Sequence, residues 1–220
     1  MIPLSDVDRR PVNFPVVTAF IIAANTAVFI VELLKGDPFV ARWVFVPAEI
    51  SSGQRLVTVV TAMFLHGGWF HILGNMVYLW AFGPEIEDVM GPLRYFLFYL
   101  SGGVAASFAQ VIADPSSPVP NLGASGAIAA VMGSFLVTFP RDRIRTVVFL
   151  GWFVTITLIP SVVLVGFWFI IQLFSEVGSL FARQGGGIAY MAHLGGLGFG
   201  VIAARIFTSP ARRPRRNHRT

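Results

Sequence analysis

The chain of 220 residues contains no cysteine and few charged side chains. Without cysteine it cannot form a disulfide framework or use a thiol nucleophile. Only 12% of its residues are charged and 55% are hydrophobic, whereas an average soluble domain has about 25% charged and about 45–50% apolar residues. These proportions indicate a membrane protein without a sizeable soluble domain.

The net charge of +5 is concentrated at the carboxyl end. Five arginines follow the last apolar segment, all within the last nine residues: Arg212, Arg213, Arg215, Arg216 and Arg219. Contact with anionic lipid explains such a tail more simply than nucleic acid does. We therefore expect residues 208–220 to be a basic cytoplasmic tail on the lipid bilayer, and we expect no nucleic-acid partner.

Six apolar runs are candidate membrane spans. They are Pro15–Leu34, His71–Gly83, Tyr95–Ile112, Ser125–Phe139, Pro160–Leu180 and Ile188–Phe207. The N-terminal residues before the first run lack a small-residue cleavage site, which favours a retained span over a signal peptide. The sequence thus predicts an all-α polytopic membrane protein, with residues 1–14 as a cytoplasmic segment and 15–207 as a six-helix membrane domain.

The distribution of basic residues orients the six spans. With the N-terminus inside, the inner segments carry 12 of the 16 basic residues: Arg9, Arg10, Arg94, Arg141, Arg143, Arg145, Arg205 and the five of the tail. The outer segments carry Lys35, Arg42, Arg55 and Arg183. Because basic loops stay on the cytoplasmic side, both termini are expected there.

Two apolar stretches outside the six runs are expected at the membrane surface. Thr146–Leu158 is short and ends at a proline, so it is read as interfacial or re-entrant. The first outer loop, residues 35–70, includes an apolar run beside Arg42 and is expected to lie partly in the interface.

Three polar residues begin the second, fourth and sixth candidate spans at one height. His71, Ser125 and His193 each stand about 18–21 Å above the inner boundary at 1.5 Å per helical residue. Against a hydrocarbon core of about 30 Å, this places them about 10 Å below the outer surface. An unpartnered polar cluster is costly at that depth, so a water-filled cavity is expected there.

Small side chains allow the fourth and sixth spans to approach closely. They recur every four residues on both helices: Gly126, Ala130 and Ser134 on one, Ala192, Gly196 and Gly200 on the other. This small-xxx-small pattern is typical of close packing between membrane helices. We therefore expect Ser125 and His193 to share a hydrogen bond.

Such a pair has the chemistry of a nucleophile and its base, because a neutral imidazole can remove the proton of a serine hydroxyl. His71 and Asn75 lie four residues apart on one helix face and could supply donors to an oxyanion beside the backbone N–H of Ser125. Gly123 and Gly126 would let the chain turn sharply around the serine. Glu32 and Glu176 lie near the outer ends of their helices, so the simplest interpretation is a dyad of Ser125 and His193 without a carboxylate.

Three stretches resemble, in order and spacing, the signatures of the rhomboid intramembrane serine proteases. They are His71-Ile-Leu-Gly-Asn75, Gly123-Ala-Ser125-Gly126 and Ala192-His193-Leu-Gly195-Gly196 followed by Gly200. Glu87 with Gly91 also fits the family's pattern. The resemblance implies a six-span fold, Ser125 as nucleophile, His193 as general base and acid, and His71, Asn75 and the Ser125 N–H as the oxyanion hole.

The resemblance further implies cleavage of single-span membrane proteins near the outer membrane boundary, without a cofactor. Two positions depart from the family. Ala129 stands where some members place an aromatic side chain on the catalytic histidine, and Arg42 precedes Trp43 where the reverse order is common. A compact core without added domains favours a bacterial inner membrane.

Several alternatives remain at this stage. A catalytically silent rhomboid-like protein could hold membrane clients, and a small transporter could line a solute path with these polar residues. A metal site of His66, His71 and His193 is disfavoured because no HExxH motif is present. Trp168 and Gln172 could serve packing or a substrate gate, and residues 184–187 could form a cap or a linker.

Overall fold

A computed structural model describes residues 1–9, 11–170 and 190–208, and most of them are helical. The longer helices are α1 (Val16–Lys35), α5 (Trp69–Met90), α6 (Pro92–Ala113), α7 (Ser125–Thr138), α8 (Ser161–Ile170) and α9 (Tyr190–Phe207). Short helices α2 (Asp37–Trp43), α3 (Pro47–Ser51) and α4 (Thr58–Thr61) and a 3-10 turn at Ala62–Phe64 fill the first long connection. The strands are β1 (Ile2–Asp6), β2 (Arg143–Leu150) and β3 (Phe153–Pro160).

Within the described residues, three helices are long and apolar enough to cross a membrane: α1, α6 and α9. The mostly helical membrane fold is thereby confirmed, whereas the count of six spans stays a prediction. The candidate span Pro160–Leu180 extends past the described part of the chain at residue 171. The second candidate span is the middle of a longer helix, since α5 continues through Pro84 to Met90.

A three-stranded antiparallel sheet departs from the all-α prediction. Thr146–Leu158 forms most of the hairpin β2–β3, and its expected interfacial or re-entrant position stays a prediction. The N-terminal segment adds β1 to the same sheet. Val154-Thr-Ile-Thr-Leu158 alternates apolar and polar residues with the period of two that a strand requires, a signal that the count of apolar residues had hidden.

The first long connection folds compactly against the segment before α7. Phe45 and Asn121 exchange two backbone hydrogen bonds of 3.1 and 2.7 Å. Val44, Phe45 and Ile50 are buried, although they lie outside the long helices. The approach to Ser125 is therefore held by a packed loop, and its position in the membrane interface stays a prediction.

Glu87 of α5 holds the first helix in place. Its carboxylate accepts hydrogen bonds from the backbone N–H groups of Val17 and Thr18 and from the Thr18 hydroxyl, each at 2.8 Å. Pro15 before the helix has no side chain that can cap it. Because the first N–H groups of a helix lack intrahelical partners and carry partial positive charge, a buried carboxylate is well suited to this position.

Replacing Glu87 by alanine is expected to lower the free energy of unfolding by about 2–3 kcal/mol, since hydrogen bonds to a charged group are lost and buried donors stay unpaired. Asp88→Ala is the matched control, because Asp88 accepts longer, exposed hydrogen bonds from Val12 and Asn13. Unfolding in detergent, followed by circular dichroism, measures both. Equal effects of the two variants would contradict this role of Glu87.

Asp6 makes the stability of the sheet sensitive to pH. The side chain is buried and its Oδ1 accepts the N–H of Asp8 at 2.8 Å. Burial, together with the nearby carboxylates of Asp142 and Asp8, raises the pKa of Asp6 to about 7. A raised pKa means that the folded state favours the protonated carboxyl, so its contribution to stability is present at acidic pH and is lost as the pH rises through 7.

We therefore expect the unfolding temperature to fall between pH 5.5 and pH 8.5, and Asp6→Asn to reduce that difference. The amide cannot ionise, so the variant should gain stability relative to the parent at the alkaline end. Parallel melting curves of the two proteins at both pH values test this. An unchanged pH dependence in Asp6→Asn would exclude Asp6 as its source.

Candidate active site

Ser125 and His193, which are 68 residues apart in the sequence, meet in the structure. The Nε2 atom of His193 lies 2.6 Å from the Oγ atom of Ser125. Ser125 is the first residue of α7, and His193 lies near the beginning of α9. His193 is 3% exposed, so its imidazole is shielded from water while it contacts the hydroxyl.

The backbones of α7 and α9 touch where glycines replace larger residues. A Cβ atom on Gly196 would lie 2.1 Å from the carbonyl oxygen of Gly126, and one on Gly200 would lie 2.0 Å from that of Ala130. Gly126 itself faces α6, because its Cβ would lie 2.6 Å from the Cβ of Ala106. The glycines thus allow three helices to converge behind the serine.

Gly123 gives the turn before the serine its shape. Its φ is +124°, a conformation that side chains rarely adopt, and a Cβ atom there would lie 2.8 Å from Nε2 of His71. Its N–H donates to the carbonyl oxygen of Ala62 at 2.9 Å. The glycine therefore lets His71 approach the chain two residues before Ser125.

His71 and Asn75 of α5 present donors beside this turn. The Nδ1 atom of His71 accepts the N–H of Gly67 at 3.3 Å, so the neutral ring carries its proton on Nε2, the atom next to Gly123. The Nδ2 atom of Asn75 is buried without a hydrogen-bond partner among the described residues. As the first residue of α7, Ser125 adds a backbone N–H that no turn of its own helix can bind.

The carboxylate Glu32 does not belong to the pair. It accepts the backbone N–H of His66 at 3.1 and 3.2 Å, while Nδ1 of His193 has no hydrogen-bond partner among the described residues. Glu176 and Gln172 lie outside the described residues, as do residues 184–187. Burial lowers the pKa of His66 to about 4, so this neighbour of His71 is neutral at physiological pH.

Trp168 of α8 lies against the ring of His193, a contact that sequence reasoning missed. The two ring centroids are 5.3 Å apart, and the indole also lies 6.1 Å from the ring of Tyr78. Ala129, the position where some rhomboids carry an aromatic residue, is fully buried and too small to reach across. An aromatic residue from another helix therefore occupies the space beside the histidine.

A cavity of about 40 Å³ adjoins Ser125. Its lining includes Met63, Gly103, Ala106, Gly126, Ala127 and Ala192. These side chains are small or flexible, and the space holds a few water molecules or one small side chain.

Gly200→Ala is expected to push α9 away from α7, because the new Cβ would overlap a backbone oxygen that cannot rotate aside. We expect a loss of about 1–3 kcal/mol in stability and a weaker reaction of Ser125 with a fluorophosphonate. Gly198→Ala is the control on the same helix, since a Cβ there meets nothing within 4 Å. Thermal unfolding and labelling rate are measured on both, and equal behaviour would contradict the close approach of the helices.

Trp168→Ala is expected to slow labelling of Ser125 roughly tenfold or more, since a histidine that is poorly held is misaligned with its partner. Trp168→Phe should retain most of the rate because it keeps an aromatic face. Trp80→Ala removes an indole that is 45% exposed and should change little. An unchanged rate in Trp168→Ala would show that the indole does not hold His193.

Comparisons with known proteins identify the family of the chain. The family profile described as the Rhomboid domain matches residues 53–210. Rhomboid protein 1, mitochondrial, of Saccharomyces cerevisiae is 27% identical over 187 residues, which are 83% of this chain and 50% of that protein. Rhomboid protease GluP of Bacillus subtilis is 30% identical over 152 residues, 69% of this chain and 26% of that protein.

The human presenilin-associated rhomboid-like protein, mitochondrial, is 31% identical over 137 residues, 60% of this chain and 35% of that protein. The chain thus spans half or less of the length of these relatives. The domain match nevertheless covers most of this chain, including Ser125 and His193. The chain is an integral membrane protein that belongs to the rhomboid family.

Proposed function

We propose that this protein is an intramembrane serine endopeptidase with Ser125 as nucleophile and His193 as its base. The observation that carries the proposal is the contact of 2.6 Å between Nε2 of His193 and Oγ of Ser125 in a buried site. The Bacillus subtilis relative is named a rhomboid protease, which agrees with the proposal. An imidazole within hydrogen-bond distance of a serine hydroxyl is the geometry that a general base needs to activate that nucleophile.

The proposed reaction proceeds in two steps. Nε2 of His193 takes the hydroxyl proton while Oγ of Ser125 attacks the scissile carbonyl carbon, and the histidine then gives this proton to the leaving amine. Water, deprotonated by His193, releases the acyl group and restores the serine. Both steps pass through an oxyanion, and its proposed donors are His71, Asn75 and the Ser125 N–H.

The donor set supports this role of His71 and Asn75. The buried Nδ2 of Asn75 lacks a partner among the described residues, which leaves it open to a substrate oxygen. Nε2 of His71 lies on the same side, next to Gly123. Since no charged donor is required, the site needs neither a metal nor a cofactor for this chemistry.

The substrate is proposed to be a single-span membrane protein, cut near the outer membrane boundary. A helix hides its carbonyls in the i to i−4 hydrogen bonds, so the substrate must unwind locally before Ser125 can attack. The narrow cavity beside the serine fits a small side chain, such as alanine, next to the cleaved bond. Because the substrate must unwind, residues that weaken a helix are expected near the cleaved bond.

The topology proposed with this function has six spans within residues 15–207. Residues 1–14 and the basic tail 208–220 would both be cytoplasmic, with the tail on anionic lipid. Charge supports this orientation, since 12 of the 16 basic residues fall on the inner side. We propose a bacterial inner membrane as the location, whereas two of the relatives are named as mitochondrial proteins.

A fluorophosphonate probe tests the dyad in the purified protein. Labelling should map to Ser125, disappear in Ser125→Ala and fall at least about a hundredfold in His193→Ala, since a positioned base contributes roughly 10²–10⁴-fold. Ser134→Ala is the matched control, because Ser134 is another buried serine of α7. Labelling that is absent, or that persists in Ser125→Ala, would overturn the assignment.

Cleavage of a reporter tests the substrate. A single-span reporter with alanine before the scissile bond should be cut several-fold faster than one with phenylalanine, and Ser125→Ala should cut neither. Labelling of Ser125 without cleavage of any reporter would overturn the proposed substrate class and favour a soluble acyl substrate. The absence of both reactions would favour a client-binding rhomboid-like protein.

A further inference from the structure

The sheet β1–β2–β3 carries an apolar surface that no described part of the chain covers. Strand pairing sets Val147 opposite Ile156 and Phe149 opposite Val154, and Leu158 follows on the same face. We call these five side chains the outer sheet face. Phe149, Val154, Ile156 and Leu158 are between 44% and 63% exposed.

The opposite face of the sheet is buried on β2 and carries exposed threonines on β3. On β2, Ile144 and Thr146 are fully buried, and Ile144 belongs to the main hydrophobic core. On β3, Thr155 and Thr157 point to this opposite side and are exposed. The middle of the edge strand is therefore amphipathic, with Val154, Ile156 and Leu158 on the outer sheet face and the two threonines on the other.

The hairpin β2–β3 begins and ends at two apolar helices, α7 and α8. Only four residues separate the end of α7 at Thr138 from β2, and β3 is followed directly by α8. The base is tied to these helix ends, since the N–H of Ser161 donates to the carbonyl oxygen of Asp142 at 2.9 Å. A strand of eight residues is about 26 Å long, so the hairpin can extend along the bilayer surface from this fixed base.

The turn of the hairpin carries an exposed aromatic side chain. Trp152 is fully exposed beside Gly151, whose φ is +60°. Phe149 and Phe153 flank the turn and are also exposed. Tryptophan prefers the headgroup level of a bilayer, because its ring has an apolar body and a polar N–H.

The charges near the sheet complement anionic lipid. Arg145 lies at the base of β2 in the same row as Val147 and Phe149 and is exposed. Arg143, two residues earlier in that row, is also exposed but forms an ion pair with Asp8. The segment 139–160 has a single acidic residue, Asp142, which is buried. The exposed charges of the hairpin are therefore basic, and each basic group near an anionic leaflet contributes to binding.

We propose that the outer sheet face docks on the anionic membrane leaflet at which α7 ends, with Trp152 among the lipid headgroups. The edge of β3, which no other described strand pairs with, fixes the depth, because unpaired strand N–H and C=O groups are tolerated among hydrated headgroups but not in hydrocarbon. The sheet thus lies flat in the interface and anchors α7 and α8 at their shared end. This inference does not depend on the proposed hydrolysis.

The absence of cysteine in the chain makes the proposal directly testable. Ile156→Cys and Thr157→Cys place one thiol each on adjacent residues of opposite faces. Each full-length protein is labelled with an environment-sensitive fluorophore and reconstituted into vesicles of phosphatidylcholine and phosphatidylglycerol. Both variants must first show the unfolding midpoint of the parent in detergent.

Lipid-borne nitroxide should quench the probe at position 156 several-fold more than the probe at 157, and aqueous iodide should do the reverse. Arg145→Gln should reduce the docked population about fivefold in anionic vesicles, the effect of one basic group near such a surface, and should have little effect in pure phosphatidylcholine.

The proposal would be overturned if the probes at positions 156 and 157 were quenched equally by the lipid-borne nitroxide and equally by aqueous iodide. The same experiment in nanodiscs that hold one or two chains separates a protein partner from lipid. Shielding of position 156 that requires two chains would assign the face to a second copy and likewise overturn lipid docking. Nitroxide quenching that persists with one chain per disc supports the proposal.

Discussion

The close approach of two helix backbones is the constraint on which the site depends. At Gly196 and Gly200 the chain of α9 lies against the carbonyl oxygens of α7, with no space for a Cβ atom. Only this separation allows Nε2 of His193 to reach Oγ of Ser125 at 2.6 Å. Leucine or phenylalanine at these positions would hold the helices at the usual interaxial distance of about 8–10 Å and separate the pair.

The surroundings of the pair are polar but uncharged. The polar side chains beside Ser125 and the preceding Gly123 are imidazoles and an amide, and the carboxylate of Glu32 binds the backbone of His66 instead. Neutral donors and acceptors cost less to bury in a membrane than ions do. Two of them, Nδ2 of Asn75 and Nδ1 of His193, have no partner among the described residues, which suits a site that admits water and substrate.

Polar contacts between distant segments organise the other end of the bundle. Glu87 caps α1 from α5, and Arg143 pairs with Asp8 across the first two strands. Both contacts join residues close to helix or strand ends, where backbone groups lack partners. The sheet and the helix ends thereby form one connected base, and the proposed contact with lipid would extend it to the membrane surface.

Much of the site could be predicted from the sequence, because the signals are local. Small residues every four positions indicated the helix contact, and the positions of His71, Ser125 and His193 at the starts of three apolar runs indicated that they meet. Helical rise is constant, so equal counts along helices give equal heights. The sheet was not predicted, because the prediction used the apolar content of this segment and not the alternation of apolar and polar residues in Val154–Leu158.

The sequence alone determined the membrane class and the family resemblance and predicted the pairing of Ser125 with His193, since these follow from composition and from spacing along single helices. Only the tertiary structure decided that Glu32 binds His66, that Trp168 replaces an aromatic missing at Ala129, and that the N-terminus joins the hairpin. Each of these contacts joins segments more than thirty residues apart or lying on different helices. Such pairings depend on how the elements pack, which no local pattern encodes.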